Sequence, residues 1–208
     1  MAVTILAQSL GTKYVLDVAA LGRVREVLTA GGLVVHPTDT VYGLAADPFQ
    51  GAAIDRLFAA KGRPRGTPVS IAVAEVSDIF RFGERSPIAE AFVAKNLPGP
   101  FTIILRATAS APQPVVGSDG RIGLRVPNHA IPRLLAKSFG PITSTSANVH
   151  GKPSPTTCDE ARINSVQFLV PTSTVTAVSA IHPSECAPRS SLTTFPRRNR
   201  SASSCVGV

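Results

Sequence analysis

Leu33-Val34-Val35-His36-Pro37-Thr38-Asp39-Thr40-Val41-Tyr42-Gly43-Leu44 reads as a buried strand, Leu33 to His36, that ends at a proline and gives way to a polar turn. Upstream, Asp17 is placed to cap a helix whose apolar face is Leu21, Val24, Val27 and Leu28, with Gly31-Gly32 as its stop. Downstream, a helix over Ala52 to Ala60 turns Ile54, Leu57 and Phe58 inward, and Val69 to Ala74 makes the next strand. Ser86-Pro87 is a cap followed by proline at the first helical position, opening a helix that runs to about Leu97 and stops at Pro98-Gly99-Pro100. Strands follow at Phe101 to Arg106 and Ile122 to Val126, then a helix around Ala130 to Ser138, then a short strand into Thr143-Ser144-Thr145-Ser146. This alternation predicts an α/β layered domain with a mixed sheet.

The chain has 208 residues and is 44% hydrophobic, enough for one sizeable core. No apolar run approaches the ~20 residues of a membrane span, and Met1 to Leu10 lacks the basic flank and long apolar stretch of a secretory signal. A cytoplasmic protein is therefore expected. Cys158, Cys186 and Cys205 are odd in number and widely spaced, so no metal site is expected of them. The net charge of +8 points to a polyanionic partner: nucleotide phosphates, RNA or both. Its distribution is uneven, since residues 1–160 carry 16 Lys+Arg against 12 Asp+Glu and residues 161–208 carry 5 against 1.

Three segments carry candidate chemistry. The turn Pro37 to Leu44 follows a strand, where backbone amides and hydroxyls suit a carboxylate or phosphate; it also reads as an ordinary turn. Lys61-Gly62-Arg63-Pro64-Arg65-Gly66-Thr67-Pro68 places three cations within five residues between prolines and glycines. Such an array suits a triphosphate, or it is a solvated basic loop. Finally, Arg121 and Arg125 alternate with apolar residues on one strand and share the face of Gly123, ahead of the hydroxyl run Thr143 to Ser146 that ends at Asn148.

Together, Pro37 to Leu44, Lys61-Gly62-Arg63-Pro64, Pro98-Gly99-Pro100-Phe101-Thr102, Arg125-Val126-Pro127 and Ser144-Thr145-Ser146-Ala147-Asn148 resemble the YrdC/TsaC family of threonylcarbamoyl-adenylate synthases, in order and spacing, over roughly residues 15–160. The resemblance implies an α/β (α+β) fold of the YrdC/RibB-like kind: a twisted mixed β-sheet flanked by helices, with a large basic concave groove. It implies a nucleotidyltransferase that uses L-threonine, bicarbonate and ATP with Mg²⁺. The threonylcarbamoyl-AMP product would pass to a tRNA threonylcarbamoyl transferase complex for t6A37 modification. Carried over by position, Lys61 and Arg63 would act in catalysis and grip the triphosphate. Thr40, Arg125 and Ser144 would hold L-threonine, and Ser146, Asn148 and Ser154 would complete the nucleotide site, with Thr67 and Arg121 at nucleotide-contacting positions of variable type. The chemistry needs no protein nucleophile, because positioning and electrostatics supply the rate.

The resemblance assigns residues 10–163 to a YrdC-like domain and leaves 164–208 as a divergent segment, frame-shifted or disordered, where Ser, Arg and Pro take over. Val166 to Val170 reads there as a strand, followed by Ser173-Thr174-Val175. Two other readings compete with the synthase. One is a non-catalytic double-stranded RNA-binding or tRNA-binding module built on the same groove, for which 5% aromatic residues and no tryptophan offer few stacking groups. The other is a carbamoyl-transfer domain of the hydrogenase-maturation kind, whose zinc-finger cysteines this chain lacks.

Overall fold

The computed structural model describes residues 3–10, 13–15, 18–64, 66–157, 159–161, 164 and 175–180, the first two and the last of these by backbone alone. Asp17, Arg65, Val166 to Val170 and Ser173-Thr174 lie outside the described residues. Apolar spacing in the helix Val18–Thr29 (α1) buries Ala20, Val24 and Leu28. Its chain reverses at Gly31, whose φ of 72° is left-handed. The left-handed backbone favours glycine there, and a Cβ would also have to displace the Gln50 side-chain tip.

The strands are β1 (Val3–Leu10), β2 (Lys13–Val15), β3 (Leu33–His36), β4 (Gly43–Ala45), β5 (Ser70–Ala72), β6 (Ile103–Arg106), β7 (Arg121–Arg125), β8 (Ile142–Ser146) and β9 (Val175–Ala180). Among the described residues they form one nine-stranded sheet in the order β2-β1-β9-β3-β4-β8-β5-β7-β6. The sheet is mixed, as expected: β9 runs parallel to β1 and β3, and β5 parallel to β7, while β3–β4, β4–β8, β5–β8 and β6–β7 are antiparallel. The remaining helices are α2 (Gly51–Lys61), α3 (Ile79–Phe82), α4 (Pro87–Asn96) and α5 (Ala130–Phe139).

Helices cover both faces. On one, Ile54, Leu57 and Phe58 of α2, Ile79 and Phe82 of α3 and Val93 of α4 pack with Val35, Leu44, Ile71, Ile122 and Leu124 of the sheet. On the other, α1 and α5 pack on Val34, Ala45, Ala72 and Ile142. The Ser86 cap forms as read, its Oγ accepting from Ala89 N at 3.2 Å with Pro87 opening α4.

Two differences from the sequence reading matter for the site. The polar turn is shorter than expected, because Gly43 to Ala45 already pairs with β3 and β8 as β4. Buried Thr143 locks this pairing, its Oγ1 donating to Leu44 O at 3.0 Å and accepting from Ala46 N at 2.9 Å. Past residue 164, Val175–Ala180 lies in the sheet between β1 and β3.

Candidate functional site

Opposed residues on neighbouring strands project to the same face of a sheet. Gly43 stands opposite Ser146, Ser70 opposite Ser144, Ala72 opposite Arg125 and Ile104 opposite Gly123. Alternation along β8 and β5 puts these positions on the face that α1 and α5 cover through Ile142 and Ala72. Beyond those helices the face therefore continues as a floor of glycine and serine, with arginine at its margin. Small side chains leave room for a ligand against the backbone.

At one end, α2 stops at Gly62, whose φ of 61° is left-handed and whose N–H bonds Ala59 O and Phe58 O. The stop leaves Lys61 as the last helical residue, only 3% exposed. Its Nζ donates to the carbonyl of Ser146 and, at 2.9 Å, to the carbonyl of Asn148. Burial, and then the neighbouring Arg63, lowers its pKa to about 8. Ser146 Oγ donates to Asn148 Oδ1 at 2.5 Å, and Asn148 Nδ2 donates to Lys152 O at 2.5 Å and Val149 O at 3.1 Å. Lys61, Ser146 and Asn148 thus form one hydrogen-bonded unit, with Arg63 next to it, its Nε buried and without a partner.

Across the floor, the loop between β3 and β4 reaches the end of β7. Arg125 pairs with Asp39, and its Nη2 also donates to Thr40 Oγ1 at 3.2 Å. Arg125 Nε is buried without a partner. Thr38 Oγ1 organises the turn, donating to Val41 O at 2.6 Å and accepting from Thr40 N at 3.1 Å. Arg125 lies in line with Ile142 through Ala72, and Ser144 stands two residues along β8, so two strand spacings and that offset put Arg125 and Ser144 roughly 12 Å apart along the sheet.

The other expected residues are placed as follows. Ser144 is half-buried on β8. Thr67 Oγ1 donates to Pro64 O at 2.8 Å, bracing the basic loop. Ser154 is half-buried beside Pro155, whose carbonyl accepts from Tyr42 N at 2.9 Å. Arg121 begins β7, at the opposite end from Arg125, exposed, 3.7 Å from Asp119 and directly opposite Arg106. Arg121 and Arg125 thus stand at the two ends of one strand, β7.

Sequence reading assigned no role to Asp39, Ser70 or His36. Asp39 stood inside a quoted motif, but the partner that gives it meaning is 86 residues away. His36 is 1% exposed. Its Nδ1 lies 3.1 Å from Pro37 O and so carries the ring proton, leaving Nε2 buried without a partner. Burial lowers its pKa to about 4, so the ring is neutral at physiological pH. A Cβ at Gly43 would lie 3.0 Å from this Nε2, so the imidazole occupies the space that the glycine leaves open.

Of the four buried side-chain polar atoms without a partner among the described residues, three are His36 Nε2, Arg63 Nε and Arg125 Nε. Native interiors pair most such groups, so these three atoms stand out among the described residues as unmet hydrogen-bonding capacity. Among the described residues no group of three His, Cys, Asp or Glu gathers to hold a metal, and no helix is long and apolar enough to cross a membrane.

Comparison with known proteins bears on this arrangement. The Sua5_yciO_yrdC family model, described as telomere recombination, matches residues 26–178. A threonylcarbamoyl-AMP synthase of Pyrococcus abyssi is 38% identical over 139 residues, 66% of this chain and 40% of that protein. One of Xanthomonas euvesicatoria pv. vesicatoria is 38% identical over 142 residues, 66% of this chain and 75% of that protein. The crystal structure of P. abyssi Sua5 complexed with L-threonine superposes with a TM-score of 0.74 at 27% identity, covering 85% of this chain and 50% of that one. This chain thus spans about half the length of the archaeal protein it matches.

Proposed function

The chain belongs to the Sua5/YciO/YrdC family, and we propose that it is a threonylcarbamoyl-AMP synthase, joining L-threonine, bicarbonate and ATP. Relatives bearing that name favour an enzyme over the RNA-binding module. Supporting the reading is one observation above others: Arg125, held by Asp39 and Thr40, and Ser146, whose carbonyl Lys61 holds, lie on one sheet face with Gly43, Ser144, Ser70 and Gly123. Two cations, Arg125 and Lys61, suit a ligand that is anionic at both ends, and a nucleotide with an amino acid is such a pair.

In the proposed reaction the threonine amine adds to CO₂ derived from bicarbonate and loses a proton, giving a carbamate. A carbamate oxygen then attacks the α-phosphorus of ATP, the bond to the bridging oxygen of the β-phosphate breaks, and pyrophosphate leaves. Arg125 and Thr40 hold the threonine carboxylate beside Ser144. Lys61 and Arg63 grip the triphosphate and stabilise the charge that develops on pyrophosphate. Ser146, Asn148 and Ser154 complete the nucleotide site, with Thr67 and Arg121 at its outer edge. Mg²⁺ would accompany the ATP phosphates and offset their charge.

We further propose that the site lies in a basic concave groove, that the protein is cytoplasmic, and that it hands the adenylate to a tRNA-modifying transferase complex, with contact to tRNA. Calorimetric titration with ATP and with L-threonine, together with pyrophosphate release that depends on bicarbonate, tests the core of it. A folded sample that neither binds nor turns over would reject the assignment.

A further inference from the structure

Asp39 pairs with Arg125 at the proposed amino-acid pocket, and its two oxygens do different jobs. Oδ1 accepts from Arg125 Nη2, while Oδ2 accepts from the backbone N–H of Asn128 at 2.9 Å. The two side chains are only 12% and 11% exposed. One carboxylate therefore ties the loop after β3 both to the end of β7 and to the segment leading into α5. The first turn of that helix is capped by His129, whose Nδ1 accepts from Ile131 N at 3.2 Å. Burial lowers the His129 pKa, with the nearby Asp39 charge opposing that shift.

A guanidinium is planar, so holding one nitrogen between two acceptors, Asp39 and Thr40, sets the direction of every other N–H it carries. We infer that Asp39 is a positioning residue, which pins Arg125 so that its remaining donors meet the carboxylate of the amino-acid substrate. The inference rests on the amino-acid binding proposed above. A rival role has the opposite sign: Asp39 could be an internal anion that occupies the substrate's place and must leave. Against departure stand its two bonds, to Arg125 Nη2 and to the exposed Asn128 N–H, both of which would have to be exchanged for other partners at once. Thr38 also braces the same loop through Thr40 N and Val41 N, at 3.1 and 3.3 Å.

Titration of the full chain with L-threonine and separately with ATP separates these roles. Asp39→Asn keeps an acceptor for Asn128 but removes the charge facing Arg125. It is expected to weaken L-threonine binding roughly tenfold or more, the effect of one lost charge-assisted hydrogen bond, and to leave ATP binding unchanged. Arg125→Lys in the Asp39→Asn background should bind threonine no worse than Arg125→Lys alone, because both changes break one unit. Unchanged or tighter threonine binding by folded Asp39→Asn, or additive losses in the double variant, would overturn the inference. Should Asp39→Asn not fold, Asp39→Glu serves instead: threonine binding weaker with ATP unaffected supports the role, and unaltered threonine binding refutes it. A wild-type chain that binds no L-threonine removes this inference and the proposed function together, whereas wild-type binding with an indifferent Asp39 variant removes this inference alone.

Discussion

Lys61 Nζ donates to the carbonyl of Asn148 at 2.9 Å, joining the last turn of α2 to a segment 87 residues further along the chain. The same nitrogen also reaches the carbonyl of Ser146. A residue proposed to grip phosphate is thereby also a structural clamp, and the two roles have separable consequences.

Lys61→Met fills similar volume but strands two carbonyls. It is expected to cost about 1–3 kcal/mol of stability, read from urea unfolding, and to abolish detectable ATP binding in calorimetry. A variant that keeps wild-type ATP affinity would remove Lys61 from the nucleotide site.

The lowered Lys61 pKa, about 8 against an ordinary 10.5, has two effects of opposite sign. Affinity for ATP should fall as pH rises through about 8 and beyond, because the neutral amine attracts phosphate less. Stability contributed by this group should rise between about 8 and 10.5, because there the unfolded chain holds more protons than the folded one. Lys61→Arg, charged throughout, should flatten the pH dependence of ATP binding, and a slope that persists in that variant would point to another group.

His36 gives an acid limit. Its pKa is lowered from 6.5 to about 4 by burial, so the unfolded chain binds a proton that the folded chain refuses as pH falls between those values. Stability should be fully present above 6.5 and decline towards 4, by at most about 3 kcal/mol. His36→Asn, which cannot titrate, should show a shallower loss over the same window in denaturant unfolding at stepped pH.

Gly123 and Ser70 share one space on the floor of the site. A Cβ at Gly123 would come within 2.4 Å of Ser70 Oγ and 3.2 Å of Thr102 Cγ2. Gly123→Ala should therefore destabilise by about 1–3 kcal/mol, and Ser70→Gly in the same chain should recover most of that loss. Thermal unfolding of the single and double variants reads this directly; no recovery would mean that Thr102, not Ser70, limits the space.

What could be read from the linear chain was local. The α2 helix was legible because Ile54, Leu57 and Phe58 recur at helical spacing ahead of Gly62, and α4 because Ser86-Pro87 is a cap in itself. Those signals lie within a turn or two, where backbone preferences and side-chain periodicity act without help from the rest of the molecule. The motif residues of the candidate site were legible as types, cation, hydroxyl and amide, in a recognisable order.

Tertiary structure alone decided how they meet. That Gly43 to Ala45 is a strand depends on Thr143, 97 and 99 residues from the groups it bonds, and the seat of Val175–Ala180 between β1 and β3 depends on two partners far upstream. Strand register follows from which faces are buried together, a property of the whole sheet rather than of any window within it. For the same reason Asp39 acquires its place only when the loop after β3 reaches Arg125, 86 residues further along the chain.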